Sequence, residues 1–536
     1  MRTALAGMVI LALFGCDFFR GYARGDSVQL RAYQTAQPAG FYRLLFDDFQ
    51  GLDTDTLERS AAPWKFLAAA TVAMRGLEPS ESAYVAFLQR EYGFLVPARI
   101  VNWPRDAPQI PWRRPLGMVS GTIRRSLPNI ELEAANTGCA TCHASNLFDA
   151  EGNPTPEVAY LGAAATSINL EGYARNAFEA VRWATRNKPR FWQTVERMFP
   201  AISAAERDTL QRFVFPKLEE RVEELERTTG GFTPYDNGGP GLTNGAATIQ
   251  FYLGLFGRDR YRDDQVAFTA MPDLSALRLR KSFLADGVYA PRGWEHFGTL
   301  ESPGSEAHRN ATAGLISLVT FTTLGVPPER AVKNRARVRD VIDWIFDAYV
   351  PPPFPGRIDE VLADKGEELF RGRCEGCHGR YQRNAAGRYV LTAFPNRLSR
   401  NVGTDPARQQ VVTGEVLHAL EATALGEVLD AEATGGYVAT PLGGLWASAP
   451  YLHNGSVPSL WALMNPEQRP AQFEVGGHKL DFEAMGVSYP EGYQPWSKPV
   501  RYDTTKPGRS NRGHEAQFSG LDSSEKRALI EFLKRL

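Results

Sequence analysis

Apolar residues recur at the three-to-four-residue spacing of a one-sided helix along several stretches of the chain. They run from Trp64 to Met74, Glu81 to Tyr92, Asn169 to Arg186, Ala204 to Thr228, Glu329 to Tyr349, Ile358 to Phe370 and Leu521 to Leu536. Gly76 and Pro79 separate the first two. Pro351-Pro352-Pro353 ends the helix at Tyr349 and is the clearest linker in the chain. Asp522 and Glu525 form a capping-box pair in front of the last helix. The Pro-, Trp- and Arg-rich stretch from Asn102 to Leu116 reads as an irregular surface loop. Beyond the N-terminus no apolar run approaches the roughly 20 residues that a bilayer span needs.

With 536 residues the chain is too long for one ordinary domain. A hydrophobic content of 43% and a charged content of 23% describe a globular protein with a sizeable core. Lys and Arg number 60 against 61 Asp and Glu, so nothing in the charge balance points to nucleic acid. Thirty Phe, 19 Tyr and 10 Trp exclude a disordered chain.

The N-terminus carries an address. Arg2, the apolar stretch Ala4 to Phe14 and the small residue Gly15 describe a secretory signal over residues 1–16. Leu13-Phe14-Gly15-Cys16 is similar to a bacterial lipobox, in which the cysteine is acylated and begins the mature chain. Phe14 departs from the residue usual at that place. Cys16 is therefore the candidate lipid anchor, and a periplasmic, membrane-tethered protein is expected.

The remaining cysteines fall into two pairs of one form. Cys139-Ala140-Thr141-Cys142-His143 and Cys374-Glu375-Gly376-Cys377-His378 are both C-x-x-C-H, the attachment site of c-type haem. Two thiols at this spacing add to the two vinyl groups of one porphyrin, and the adjacent histidine supplies the proximal iron ligand. A four-cysteine zinc site does not require a histidine after each pair. A disulfide across two residues closes a loop with little entropic gain. A thioredoxin-like pair needs a βαβ setting that neither has. The expectation is two covalently bound haem c groups, held by Cys139, Cys142 and His143 and by Cys374, Cys377 and His378.

A leading helix, a haem motif and a closing helix are the minimal plan of a cytochrome c domain. The fold class expected is mainly α, with two cytochrome c-like haem domains and long irregular loops. The division expected is an N-terminal extension over 17–125, a haem 1 domain over 126–350 and a haem 2 domain over 351–536. Each iron has a second axial position, filled for electron transfer or open for ligand binding. The remaining histidines are 296, 308, 418, 453, 478 and 514, and Met74, Met118, Met198, Met271, Met464 and Met485 also qualify. Spacing alone does not choose among them.

The stretch from Thr440 to Leu460, with Ala449-Pro450-Tyr451-Leu452-His453-Asn454-Gly455-Ser456 at its centre, resembles the signature loop of the bacterial di-haem peroxidase superfamily. Phe394-Pro395-Asn396-Arg397, Gln468-Arg469-Pro470 and Gly513-His514-Glu515 bring it closer to the branch of the rubber oxygenases. The resemblance is dense from 351 to 536 and thin before it. It implies that His514 is the distal ligand opposite His378, with His478 and Met485 as alternatives. It places His453 beside the haem propionates or between the haems, or in a hydrogen bond that locks its loop. It implies an open haem 1 whose pocket draws on Trp294, His296, Phe297 and Phe321, with Glu295 or Glu301 available as acid/base groups. Should His296 reach the iron, haem 1 would be closed as well.

The activity implied is that of an oxidoreductase of peroxidase or oxygenase type, and the competing reading is a pure electron carrier. The partners expected are O2 or peroxide and a small redox protein or quinol-linked donor, with no nucleic acid. The chain is shorter than the rubber oxygenases, so a periplasmic substrate is more natural than an insoluble polymer.

Overall fold

The structure is a computed structural model that describes residues 24–26, 39–47, 49, 61–105, 107–126, 128–229, 236–255 and 266–536. The signal over 1–16, with Cys16, lies outside the described residues.

The helices follow the periodicity closely. They include Trp64–Arg75, Glu81–Tyr92, Leu170–Arg186, Glu360–Arg373 and Ser523–Leu533. The segment from Ala204 is helical to Thr229 with a wide π turn at Leu210–Val214. The helix expected to Tyr349 breaks at Asn334 into Pro328–Lys333 and Arg335–Asp347. Asp522 caps the last helix reciprocally with Glu525.

The fold class departs from the expectation of a mainly α chain with two cytochrome c-like haem domains. Helix makes up 43% and strand 16%, spread over several small sheets. The largest is four-stranded, in the order Arg24–Asp26, Met118–Arg125, Ile130–Thr137, Ala62–Pro63. Its central hairpin pairs from Met118↔Thr137 to Arg125↔Ile130. Buried Ile130, Leu132 and Ala134 alternate there with partly exposed Glu131 and Glu133, the period-two pattern of a half-buried strand. A three-stranded sheet of Arg99–Ile100, Pro154–Leu161 and Ala144–Phe148 follows the first haem motif.

Two cytochrome c-like domains are not what the packing delivers. The larger apolar core runs from Phe41 to Leu429 and takes in Val411, Val416, Leu420 and Leu425, beyond the proline run. A second core gathers Phe370, Trp446, Leu460, Leu529 and Phe532, and Phe148 from the first half joins it. Burial of apolar surface therefore crosses residue 351 in both directions.

Within the second core one helix pair resembles the expected plan. Glu360–Arg373 crosses Ser523–Leu533 at Gly366, where a Cβ would collide with the carbonyl of Ala528 and approach the Phe532 Cβ at 2.9 Å. Only glycine permits this closeness. One turn later Phe370 and Phe532 meet with ring centroids 5.1 Å apart. The crossing fixes the helix that delivers Cys374.

Candidate haem sites

The second motif grows out of the end of Glu360–Arg373. Cys374 closes that helix, and the amides of Cys377 and His378 donate to the Cys374 carbonyl at 3.0 and 2.9 Å. This single turn brings the three residues of the motif together. Nδ1 of His378 lies 2.8 Å from the carbonyl of Thr440. A carbonyl only accepts, so the proton sits on Nδ1 and the Nε2 lone pair is free to bind a metal.

The ring of His514 stands opposite. The two imidazole centroids are 6.3 Å apart and the planes differ by 31°. Two nitrogens each about 2 Å from one metal leave their ring centroids roughly 6 Å apart, so the spacing is that of a pair sharing one iron. His478 and Met485, the alternatives, sit elsewhere in the second core. His478 stacks on Phe148 at 6.2 Å, and the carbonyl of fully buried Met485 accepts from Leu460.

The first motif is a short helical turn, Cys139–Thr141, set against the end of the central hairpin. Its amides repeat the pattern: Cys142 and His143 both donate to the Cys139 carbonyl, at 3.1 and 3.0 Å. Nδ1 of His143 lies 3.2 Å from the carbonyl of Pro272, which again leaves Nε2 free. Among the described residues no second imidazole faces His143 as His514 faces His378.

The donor chemistry fits haem c at both places. The thiols are unpaired. Burial pushes Cys139 and Cys142 up to about 12 and Cys374 up to about 11. Burial also pulls His143 and His514 down to about 4 and lowers His378. Neutral imidazoles are the ligating form. No group of three or more His, Cys, Asp or Glu that could hold a metal ion occurs among the described residues. An iron in a porphyrin needs only axial ligands from the chain.

His453 has both ring nitrogens engaged, Nδ1 with the Thr404 hydroxyl and Nε2 with the Tyr437 hydroxyl, each at 3.3 Å. It stacks on Tyr437 at 4.4 Å, and burial pulls its pKa down to about 3. Its carbonyl accepts from the amide of Ala270 at 2.6 Å, two residues before Pro272. The ring thus locks a loop, and that loop is tied to both motifs, by Thr440 at one end and by Ala270 at the other.

Of the candidates for the haem 1 pocket, His296 and Phe297 lie side by side, while Trp294 and Phe321 pack on other rings. His296 Nε2 lies 3.0 Å from the Val288 carbonyl, and Nδ1 lies 3.9 Å from Glu432. Trp294 stacks on His308 at 6.1 Å, and Phe297 lies beside His296 at 5.9 Å. Phe321 packs on Tyr252. None of these contacts involves His143. The Glu295 side chain is 92% exposed, and Glu301 is exposed as well.

Sequence reasoning missed the carbonyls of Pro272 and Thr440, since any residue offers one. It also missed Asp273, whose carboxylate accepts the Tyr349 hydroxyl at 2.5 Å. Burial pushes Asp273 up to about 6.

Known proteins bear on the strip that joins the two motifs. Residues 436–474 match the family described as RoxA-like, cytochrome c-like. The match carries Tyr437, Thr440, His453 and Arg469, supports a RoxA-like cytochrome family, and implies a c-type cytochrome that binds haem c. Two proteins of Sinorhizobium fredii are similar. The uncharacterized protein y4iJ is 31% identical over 256 residues, covering 36% of this chain and 42% of the relative. The uncharacterized protein y4iM is 31% identical over 208 residues, covering 33% of this chain and 46% of the relative. The match thus spans less than half the length of either relative.

Proposed function

We propose that the chain is an exported di-haem c-type cytochrome, held at a membrane through a lipid on Cys16, that works as an oxidoreductase of the di-haem peroxidase and rubber-oxygenase kind. Haem c at each motif supplies one-electron chemistry and, where an axial position is open, a place for O2 or peroxide. The observation that carries this reading is an asymmetry between the motifs. His514 faces His378 at 6.3 Å, and no imidazole is so placed opposite His143 among the described residues.

Each residue then has a task. Cys374 and Cys377 would tether the second group and His378 and His514 are the imidazoles that would hold it, an arrangement suited to electron transfer. Cys139, Cys142 and His143 hold the first group from one side and leave the other face to substrate. The carbonyls of Thr440 and Pro272 orient the two proximal rings. The strip from Thr440 to His453, bonded onward to Ala270, gives the two sites a short hydrogen-bonded connection. That connection favours one working pair over two independent carriers.

The electron donor is a small redox protein or a quinol-linked carrier outside the cytoplasm.

Absorption and EPR spectra of the haem-loaded protein test the proposal, recorded oxidised and reduced, with CO and peroxide added in turn. Two haems per chain, with one low-spin and blind to CO and the other binding CO, is the expected result. Two low-spin haems blind to both ligands would overturn the enzyme reading and leave the electron carrier.

A further inference from the structure

We infer that Arg469 is the positioning residue that holds His514 in place over the second haem site, an inference resting on the reading of His378 and His514 as the two ligands of one iron. The Arg469 side chain is 3% exposed. All five of its N–H groups are used. Nε donates to the Ala462 carbonyl at 3.2 Å. Nη2 donates to the carbonyls of Leu463 at 2.7 Å and Gly513 at 2.9 Å. Nη1 donates to the Asn511 carbonyl at 2.5 Å and to Oε1 of Glu515 at 2.8 Å.

These acceptors fall on two elements. Ala462 and Leu463 lie in the short helix Leu460–Met464, which packs in the second core. Asn511, Gly513 and Glu515 flank His514 on both sides. The Glu515 carboxylate also accepts the Gly513 amide at 2.8 Å, so the acid and the guanidinium close a ring around the histidine.

His514 needs such a clamp. Its φ is 68°, a left-handed conformation that an L side chain keeps only when its surroundings impose it. Its own ties are few. The backbone amide donates to the Val402 carbonyl at 2.9 Å, the carbonyl accepts from the Gln517 amide at 3.2 Å, and buried Nδ1 has no partner. With Nδ1 unpaired, the ring is aimed by the backbone on either side and by its stacking on Phe518 at 6.5 Å. Arg469 bonds both sides at once. A lysine keeps the charge but has three donors on one nitrogen and cannot span the two elements.

The test compares the haem-loaded wild type with Arg469→Lys, Arg469→Gln, Glu515→Gln and His514→Ala. The readouts are the low-spin EPR signal, the number of CO molecules bound per reduced chain, and the response to free imidazole. Both Arg469 variants are expected to convert at least half of the low-spin signal of one haem to a CO-binding form, and added imidazole is expected to restore it. Glu515→Gln is expected to do so more weakly, and it carries the test with Arg469→Lys should Arg469→Gln fail to fold. Arg469 variants that keep the wild-type spectrum and CO count, with only a lower melting temperature, would overturn the inference and leave Arg469 a loop strut. His514→Ala separates the two levels. If it too keeps the wild-type spectrum, the two-imidazole reading itself fails.

Discussion

His514 presents its imidazole to that of His378 across 6.3 Å with the planes 31° apart, and only His378 has its Nδ1 bonded, to the Thr440 carbonyl. The two rings are therefore held differently: His378 by its own hydrogen bond, His514 by its backbone and its stacking on Phe518. A change of side chain at 514 should alter the iron's axial chemistry with little effect on attachment. His514→Met exchanges an imidazole for a thioether, which raises the potential of a c-type haem. A rise of more than about 100 mV at one haem is expected, a modest part of the range that axial ligands span. Spectroelectrochemical titration checks it. Two unchanged midpoints would remove His514 from the iron.

The crossing at Gly366 is a stability matter first. In Gly366→Ala the new methyl has no room against the Ala528 carbonyl, so the two helices must part. Overpacking of this kind costs about 1–3 kcal/mol. A melting temperature lower by several degrees is expected, together with a lower haem content at the second motif, because the same helix ends on Cys374. Calorimetry and haem staining of the isolated chain measure the two. A variant as stable as the wild type would mean that the helices already cross with slack.

The motifs of the candidate site stand out in the residues, whereas much of the fold does not. Cys139, Cys142 and His143, with Cys374, Cys377 and His378, announce themselves because covalent attachment demands one spacing. His514 was reached through the Gly513-His514-Glu515 resemblance and not through spacing. The helix at 81–92 was legible because caps and stripe agree: Ser80 caps its start and Gly93 its end. The strands were missed although Ile130, Leu132 and Ala134 alternate with glutamates, because a two-residue repeat over eight residues is a weak signal beside long helical stripes. The two-domain division was read from the proline run. A linker in sequence does not prevent Val411, Val416 and Leu420 from burying themselves in the core before it.

Asp273 gives the clearest expectation for pH. Burial raises its pKa from 3.8 to about 6, against the pull of its bonds from Ser275 and Tyr349. The folded state thus holds a proton that the unfolded chain releases near pH 4. The stability this contributes is full below pH 4 and is lost as pH rises to about 6. Asp273→Asn removes the proton exchange, so its unfolding midpoint should be flatter than that of the wild type between pH 4 and 6. Denaturation series at pH 4, 5, 6 and 7 compare the two proteins. Parallel curves would show that Asp273 titrates alike in both states.

Arg408 and Asp286 form a buried ion pair that links the segment before the haem 1 candidates to the short helix Ala407–Gln410. Their side chains are 1% and 0% exposed, and Nε of Arg408 lies 2.9 Å from Oδ2 of Asp286. The Asp286 carbonyl accepts the Thr434 hydroxyl at 2.6 Å, which fastens the same segment to the stretch before Tyr437. Burial raises the Asp286 pKa despite the guanidinium beside it, so desolvation outweighs attraction at this carboxylate. Removing one partner leaves the other charge buried alone, at a cost of about 3–5 kcal/mol, whereas removing both is far milder. Asp286→Leu and Arg408→Leu should each lower the denaturation midpoint strongly, and the double variant less than either alone. The double-variant cycle on the haem-loaded protein reads this directly. Strictly additive losses would mean that the two charges do not depend on one another, and that the segment is held by its backbone bonds instead.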